Sequence, residues 1–312
     1  MKSNPIMRIF LLIVISLSAW SFCSGQQEAM VSQYLFNGLY INPAYAGSHP
    51  YATASAIVRK QWVGIEGAPF SQFVSYEGPI KATNMGLGFM GTNDHIGVTY
   101  RTELFANYAY HLELGKQRLS LGIRAGGSLY SAKLADLVYW DPDDVVFQEN
   151  IGTTFVPNFG FGAYFYGENY FIGAAIPNLI SFNPDENFSI NIDKDIHLVR
   201  HLYVNAGVVL TASEYFKIYP SFLLKYAKNT PLSADFNVMT LIGNLVWLGG
   251  SYRTGDAIIA MTGYQITKNI RLGYAYDYAV NPLSDYTSGT HEVSLGFDIG
   301  KEALKIKSPR FF

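Results

Sequence analysis

Beyond residue 51 most of the chain alternates apolar with small or polar side chains. Between Glu292 and Ile299, Val293, Leu295, Phe297 and Ile299 point one way, while Glu292, Ser294, Gly296 and Asp298 point the other. The same period runs through 119–125, where Leu119, Leu121, Ile123 and Ala125 oppose Ser120, Gly122 and Arg124. It returns in 270–277, where Ile270, Leu272, Tyr274 and Tyr276 oppose Arg271, Gly273, Ala275 and Asp277. Successive side chains of a strand leave opposite faces of the sheet, so the pattern predicts strands with one apolar face. Two architectures share that alternation. A soluble sandwich turns its apolar face inward onto a second sheet. An outer-membrane barrel turns it outward to lipid and keeps the polar set in the lumen. On the barrel reading, Arg124, Arg271, Asp277 and Glu292 line the lumen.

The spacing accommodates roughly 14 strands of the ~10-residue length such barrels use. They are expected over 51–59, 70–77, 84–93, 101–113, 117–130, 155–166, 169–176, 201–212, 216–226, 233–242, 245–253, 256–266, 270–277 and 290–299. Connection lengths sort by parity. Those after even-numbered strands are short: 78–83, 114–116, 167–168, 213–215, 243–244 and 267–269. The longest follow the fifth, seventh and thirteenth strands, at 131–154, 177–200 and 278–289, and those at 60–69 and 94–100 are also longer. The tight turn at 254–255 stands outside the pattern. Outer-membrane barrels keep short turns in the periplasm and longer loops outside. The predicted fold is therefore all-β, a transmembrane antiparallel barrel with both termini in the periplasm.

Composition agrees without deciding. Charged residues make up 15% of the 312 residues, below the roughly 25% of soluble domains. Aromatics also make up 15%, with 23 Tyr and 21 Phe, and Gly counts 29. A large β-sandwich can share these values. The net charge of -2 and the lack of a long basic run set nucleic acid aside as a partner.

The first residues decide more. Lys2 and Arg8 precede an apolar stretch over 9–19, and Cys23 and Gly25 put small residues at the −3 and −1 positions of a cleavage site before Gln26. The alternative is acylation of Cys23, against which stands the bulky Phe22 before it. Cleavage before Gln26 removes the one Cys of the chain, leaving no thiol for a disulfide or a metal. No uninterrupted apolar run of about 18 residues follows, so no transmembrane helix is expected. An exported, lipid-compatible chain of that kind spans a membrane as a closed barrel. Residues 26–50 do not alternate: Met30, Tyr34, Leu35 and Phe36 suit one face of a short helix, and Asn42-Pro43 a turn. The expected organisation is a signal peptide over 1–25, a leader or plug over 26–50 and a barrel over 51–312.

Motifs for chemistry are weak. Gly86-Leu87-Gly88-Phe89-Met90-Gly91 matches G-x-G-x-x-G, but it sits within a strand and opens no helix, so small residues at a crowded backbone fit better than a nucleotide site. His197 and His201 have helical metal-ligand spacing in a segment without helical character. Asp141, Asp143, Asp144 and Glu149 suit a solvated acidic loop, with Ca²⁺ as the sharper alternative. No G-x-S-x-G or H-E-x-x-H is present, and His291-Glu292 lacks a second His. No catalytic residue, metal or cofactor is expected.

Four blocks carry a resemblance. Residues 33–48, reading Gln-Tyr-Leu-Phe-Asn-Gly-Leu-Tyr-Ile-Asn-Pro-Ala-Tyr-Ala-Gly-Ser, look like the N-terminal signature of the PorP/SprF family. Arg59-Lys60-Gln61-Trp62-Val63-Gly64-Ile65-Glu66-Gly67-Ala68-Pro69 resembles its second block, R-x-Q-W-x-G-x-x-G-A-P. The stretches 288–292, with His291 and Glu292, and 308–312 resemble its C-terminal blocks. Gly38 departs from the family, which often has Pro there, and a modest change in leader stiffness is expected. The resemblance implies an outer-membrane barrel of type IX secretion or its adhesin-export branch, with gliding motility among the roles of some members. The implied partners are outer-membrane lipid, other secretion components including a periplasmic peptidoglycan-binding protein, and a cognate secreted adhesin or cargo. No catalytic residues are implied. Candidate partner-contact residues are Tyr34, Asn37, Asn42, Pro43, Tyr45, Gly47, Arg59, Gln61, Trp62, Gly64, Pro69, His291 and Glu292.

The competing function is a general or substrate-specific porin, and the leader discriminates: a free diffusion pore has no need of an aromatic plug. Arg59, Gln61 and Trp62 are expected to close over the leader or to contact a partner. Trp62 and Trp140 suit interface anchors or members of the outer aromatic girdle.

Overall fold

In the computed structural model the described residues are 30–134, 150–179, 200–227 and 230–300. Their strands are β1 (Ala52–Lys60), β2 (Phe70–Pro79), β3 (Met85–Ile96), β4 (Thr99–Leu114), β5 (Gln117–Ala132), β6 (Ile151–Tyr166), β7 (Tyr170–Ile176), β8 (His201–Val208), β9 (Leu210–Ser213), β10 (Phe216–Ala227), β11 (Ser233–Ile242), β12 (Val246–Arg253), β13 (Ala257–Gln265), β14 (Ile270–Ala279) and β15 (Thr290–Ile299). Each pairs antiparallel with its chain neighbours except that β8 and β9 both pair β10 and not one another, β10 also pairs β11, and β15 pairs β1, so the sheet closes on itself. β8 and β9 form one stave of a 14-stranded barrel with one extra strand segment. The predicted fold class is correct.

The apolar set faces outward. Val293, Leu295, Phe297 and Ile299 are 43–49% exposed, whereas Glu292 is fully buried. Such a surface is tolerable against lipid and not against water. Arg124, Arg271, Asp277 and Glu292 are buried on the lumen side, as the alternation predicts.

Two elements depart from expectation. The connection expected at 94–100 shrinks to a hairpin at 97–98, because β3 and β4 keep pairing up to Ile96↔Thr99 and Gly97, at φ +57°, takes the turn. The strand expected over 201–212 breaks at Val209. Counting the register of β10 from Ser221↔Gly207 sets Pro220 opposite Val208, and proline has no N–H to donate to the ladder. Alternation survives the break: Val208 and Leu210 point out while Val209 is buried.

The two rims differ. One carries the turns at 80–84, 115–116, 167–169, 214–215, 243–245 and 266–269. The other carries 61–69, 97–98, 254–256 and 280–289, together with the described residues 133–134, 150, 177–179, 200 and 230–232. The start of β1 and the end of β15 meet on the short-turn rim, through Ala52↔Ile299.

Candidate functional site

The segment before β1 fills the lumen. It makes three 3-10 turns, Tyr34–Phe36, Gly38–Tyr40 and Pro43–Tyr45, where a short amphipathic helix was expected. Local chemistry sets the third. Asn42 is extended, as a residue before proline must be, its side chain accepts a hydrogen bond from Ala44 N at 2.9 Å, and Pro43 opens the turn. Gly38 has a packing role: a Cβ there would lie 2.6 Å from the Tyr45 ring.

This leader crosses the lumen from rim to rim. Ser32 and Gln33 lie against the long-loop ends of β1, β14 and β15. Lower down, Tyr34 OH accepts from Asn237 Nδ2 of β11 at 2.7 Å, and Arg124 of β5 donates to the carbonyls of Leu39 and Tyr40. Asn42 Nδ2 donates to Ala163 O at 3.0 Å, Ser120 OH to Ala44 O at 2.6 Å, and Gly47 N to Glu77 at 2.6 Å near the short-turn rim. Phe36 packs edge-on against Trp247, Tyr40 against Phe73 and Tyr45 against Tyr164. Contacts on every side of the ring put the leader inside it.

Glycines on the wall make room. A Cβ on Gly86 would run into Ala46, on Gly88 into Leu39, on Gly122 into Ala44, on Gly162 into Asn42 and Pro43, and on Gly273 into Gln33. Gly86 and Gly88 belong to the nucleotide-like motif, where Gly86 admits the Ala46–Gly47 backbone and Gly88 the Leu39 side chain. The cavities beside the leader are small, about 20 Å³ each. A larger one of about 400 Å³ opens at the short-turn rim beside Ser48, His49, Tyr51, Glu113, Lys116 and Arg118.

At the long-loop end the leader meets a buried chain of charges. Lys225 Nζ contacts Asp235 at 2.8 Å, and Arg253 Nε donates to the same carboxylate at 3.0 Å. Arg253 lies 3.7 Å from Asp277, which Arg59 Nη2 contacts at 2.7 Å, and Arg59 Nη1 contacts Glu292 at 2.9 Å. Three cations thus alternate with three buried carboxylates, and the more exposed Asp256 adds a fourth at 3.3 Å from Arg253 Nη1. The leader completes the cluster. Ser32 N and Gln33 N both donate to Glu292 at 2.8 Å, and the Ser32 hydroxyl donates to Asp277 at 2.7 Å while accepting from Arg59 at 2.9 Å.

The candidate residues divide into three groups, with His291 apart. Tyr34, Asn37, Asn42, Pro43, Tyr45 and Gly47 lie in the leader, with Asn37 buried and its carbonyl accepting from Tyr40 N at 3.2 Å. Arg59 and Glu292 form the clasp. Gln61, Trp62, Gly64 and Pro69 belong to the first long-rim loop, where Gln61 N donates to Pro69 O at 2.9 Å and Trp62 N to Thr290 Oγ1 at 3.2 Å. That loop is tied to the last one through Val63 N to Gly289 O and Ser288 N to Val63 O, and to the 97–98 hairpin through Gly97 N to Gly67 O. Among these four, no described bond reaches the leader. His291 faces outward, its Nδ1 2.6 Å from Tyr274 OH. Sequence reasoning missed Ser32, Gln33, Lys225, Asp235 and Arg253, whose convergence depends on strand register. His201 begins β8, while His197, Trp140 and the acidic residues Asp141, Asp143, Asp144 and Glu149 lie outside the described residues, as do the signal segment and the C-terminal block. Among the described residues no group of three or more His, Cys, Asp or Glu side chains is placed to hold a metal.

A family model described as "Type IX secretion system membrane protein PorP/SprF" matches residues 23–297. The chain belongs to the PorP/SprF family. It is thereby an outer-membrane β-barrel of type IX secretion, and membership implies interaction with other secretion components. No curated protein matches the chain. Among solved structures, the CymD monoaromatic hydrocarbon channel is similar with a TM-score of 0.51 and 10% identity, over 88% of this chain and 94% of that one. The outer membrane protein Omp33 of Acinetobacter baumannii gives a TM-score of 0.47 at 9% identity, over 81% of this chain and all of that one. The likeness to CymD supports the barrel fold alone.

Proposed function

We propose that this PorP/SprF barrel is a non-enzymatic accessory of type IX secretion, a plugged scaffold that docks the export machinery and its cargo. The observation that carries this reading is the leader, held at both ends inside the lumen and seated on wall glycines. A diffusion channel gains nothing from a filled bore, so the porin reading ranks second. The rims would divide the partners. With the long loops outside, the joined loops bearing Gln61, Trp62 and Gly64 would face a secreted adhesin or cargo. The short-turn rim would face periplasmic components, including a peptidoglycan-binding protein. In some members of such a branch the same coupling would serve gliding motility.

The test combines capture and mutation. Tagged protein, cross-linked in cells and purified from detergent-solubilised outer membrane, is expected to bring down type IX components identified by mass spectrometry. Trp62→Ala is expected to lower export or surface adhesion severalfold while the barrel inserts at normal levels. Normal export by Trp62→Ala removes the role given to that loop, and capture of no secretion component removes the accessory reading.

A further inference from the structure

We infer that the outward face of β14, β15 and β1–β4 carries, at its long-loop end, a binding site for a phosphate-bearing lipid headgroup. Among the described strand residues, only three with basic or acidic side chains point away from the lumen: Lys60, His95 and His291. Alternation fixes their direction, since their chain neighbours Arg59, Asp94 and Glu292 are buried inside. The register then puts all three in one row. Tyr276 pairs His291, His291 pairs Lys60, Lys60 pairs Phe70, Phe70 pairs His95 and His95 pairs Tyr100. With strands ~4.8 Å apart, Lys60 stands roughly 5 Å from His291 and about 10 Å from His95.

The rows beneath place this one at the edge of the acyl chains. The next row toward the short-turn rim is Tyr274, Val293, Val58, Gln72, Asn93 and Thr102, where Asn93 Nδ2 donates to Thr102 Oγ1 at 2.9 Å. The row after that is Leu272, Leu295, Ala56, Val74, Gly91 and Leu104, with no polar side chain. A charge on the lipid face is costly at the bilayer midplane and costs little at the headgroups, so the basic row belongs at the headgroups. None of these rows carries an outward carboxylate, and the ammonium and imidazoles call for an anion from the membrane. Tyr274 OH lies 2.6 Å from His291 Nδ1. With that hydroxyl donating, Nε2 carries the ring proton and can donate to a phosphate oxygen. Tyr276 backs the His291 ring at 5.2 Å, and His95 stacks on Tyr100 at 4.3 Å. Lys133 Nζ, 5.5 Å from the Tyr100 ring, adds a second ammonium at the same level. Phe70, exposed between Lys60 and His95, offers an apolar face to the chains below the headgroup. With the long loops outside, as proposed above, that headgroup belongs to the outer leaflet.

The test is native mass spectrometry of the full-length protein in detergent micelles, titrated with diphosphoryl lipid A or with the same lipid stripped of its phosphates. The parent is expected to retain the phosphorylated lipid about tenfold better than the phosphate-free one. The triple variant Lys60→Gln/His95→Gln/His291→Gln is expected to lose about tenfold of that retention. Lys268→Gln, which removes one cation from an exposed turn on the other rim, is expected to retain the lipid as the parent does. Equal retention of the two lipids by the parent overturns the inference without recourse to any variant. So does a folded triple variant that binds like the parent, or a loss in Lys268→Gln as large as in the triple variant. Retention of neither lipid also overturns it and leaves an acidic protein surface as the complement of the row. Micelles present both rims alike, so the outcome is independent of the orientation and of the secretion role proposed above.

Discussion

Arg59 joins three things: the first strand, the last strand and the leader. It lies directly across the β1–β15 pair from Glu292, so its guanidinium bridges the seam where the barrel closes. It also reaches Asp277 and the Ser32 hydroxyl. A planar fork can serve several acceptors at once, which an ammonium cannot do in the same geometry. Removing one partner from a buried charge cluster costs about 3–5 kcal/mol, because the remaining charges stay desolvated. Arg59→Ala is therefore expected to lower the melting temperature of the detergent-folded barrel markedly, and Arg59→Lys to fall between. Circular dichroism melts check this, and an unchanged Arg59→Ala midpoint would mean that the cluster adds no stability. Part of this was legible in the sequence. Alternation assigned Asp277 and Glu292 to the lumen, and the family blocks singled out Arg59 and Glu292. Their meeting was not, since the partners lie 218 and 233 positions from Arg59 and only the register brings them level.

The strands were legible because lipid outside and a crowded lumen inside impose period two on nearly every residue. Boundaries moved where pairing outlasted the expected turn, as in the 97–98 hairpin, or where Pro220 interrupted the ladder. The leader had no such period. Its turns are held by a side-chain cap at Asn42 and by packing against the wall, neither of which leaves a repeating signal. Its seat can be tested as an element. Gly122 lies in β5, and any Cβ there meets the backbone of Ala44. Valine favours strands, so Gly122→Val should keep β5 and expel the middle of the leader. Hydrogen exchange is expected to show protection of 40–50 falling at least tenfold while the strands stay protected. Gly152→Val is the control, because a Cβ at Gly152 meets nothing within 4 Å. Equal protection in both variants would separate the glycines from leader seating.

At the scale of the molecule, the barrel and its leader form one solid. Fourteen staves would enclose a bore between those of the filled 8-strand and the open 16–18-strand barrels, so strand number alone does not decide whether it conducts. The contents decide. Leu39 and Ala44 are fully buried, and Tyr34, Leu35, Phe36 and Tyr45 nearly so. Each large side chain left in water would forfeit about 1.5–3 kcal/mol of burial, which opposes spontaneous release of the leader. The intact protein is therefore expected to show little steady conductance in planar bilayers. Gly122→Val, with the leader displaced and the wall retained, is expected to conduct in discrete steps, whereas Gly152→Val should stay as quiet as the parent. Porin-like conductance from the intact protein would instead favour the channel reading over the scaffold. Silence from Gly122→Val despite lost protection of 40–50 would mean that the wall side chains alone can close the bore.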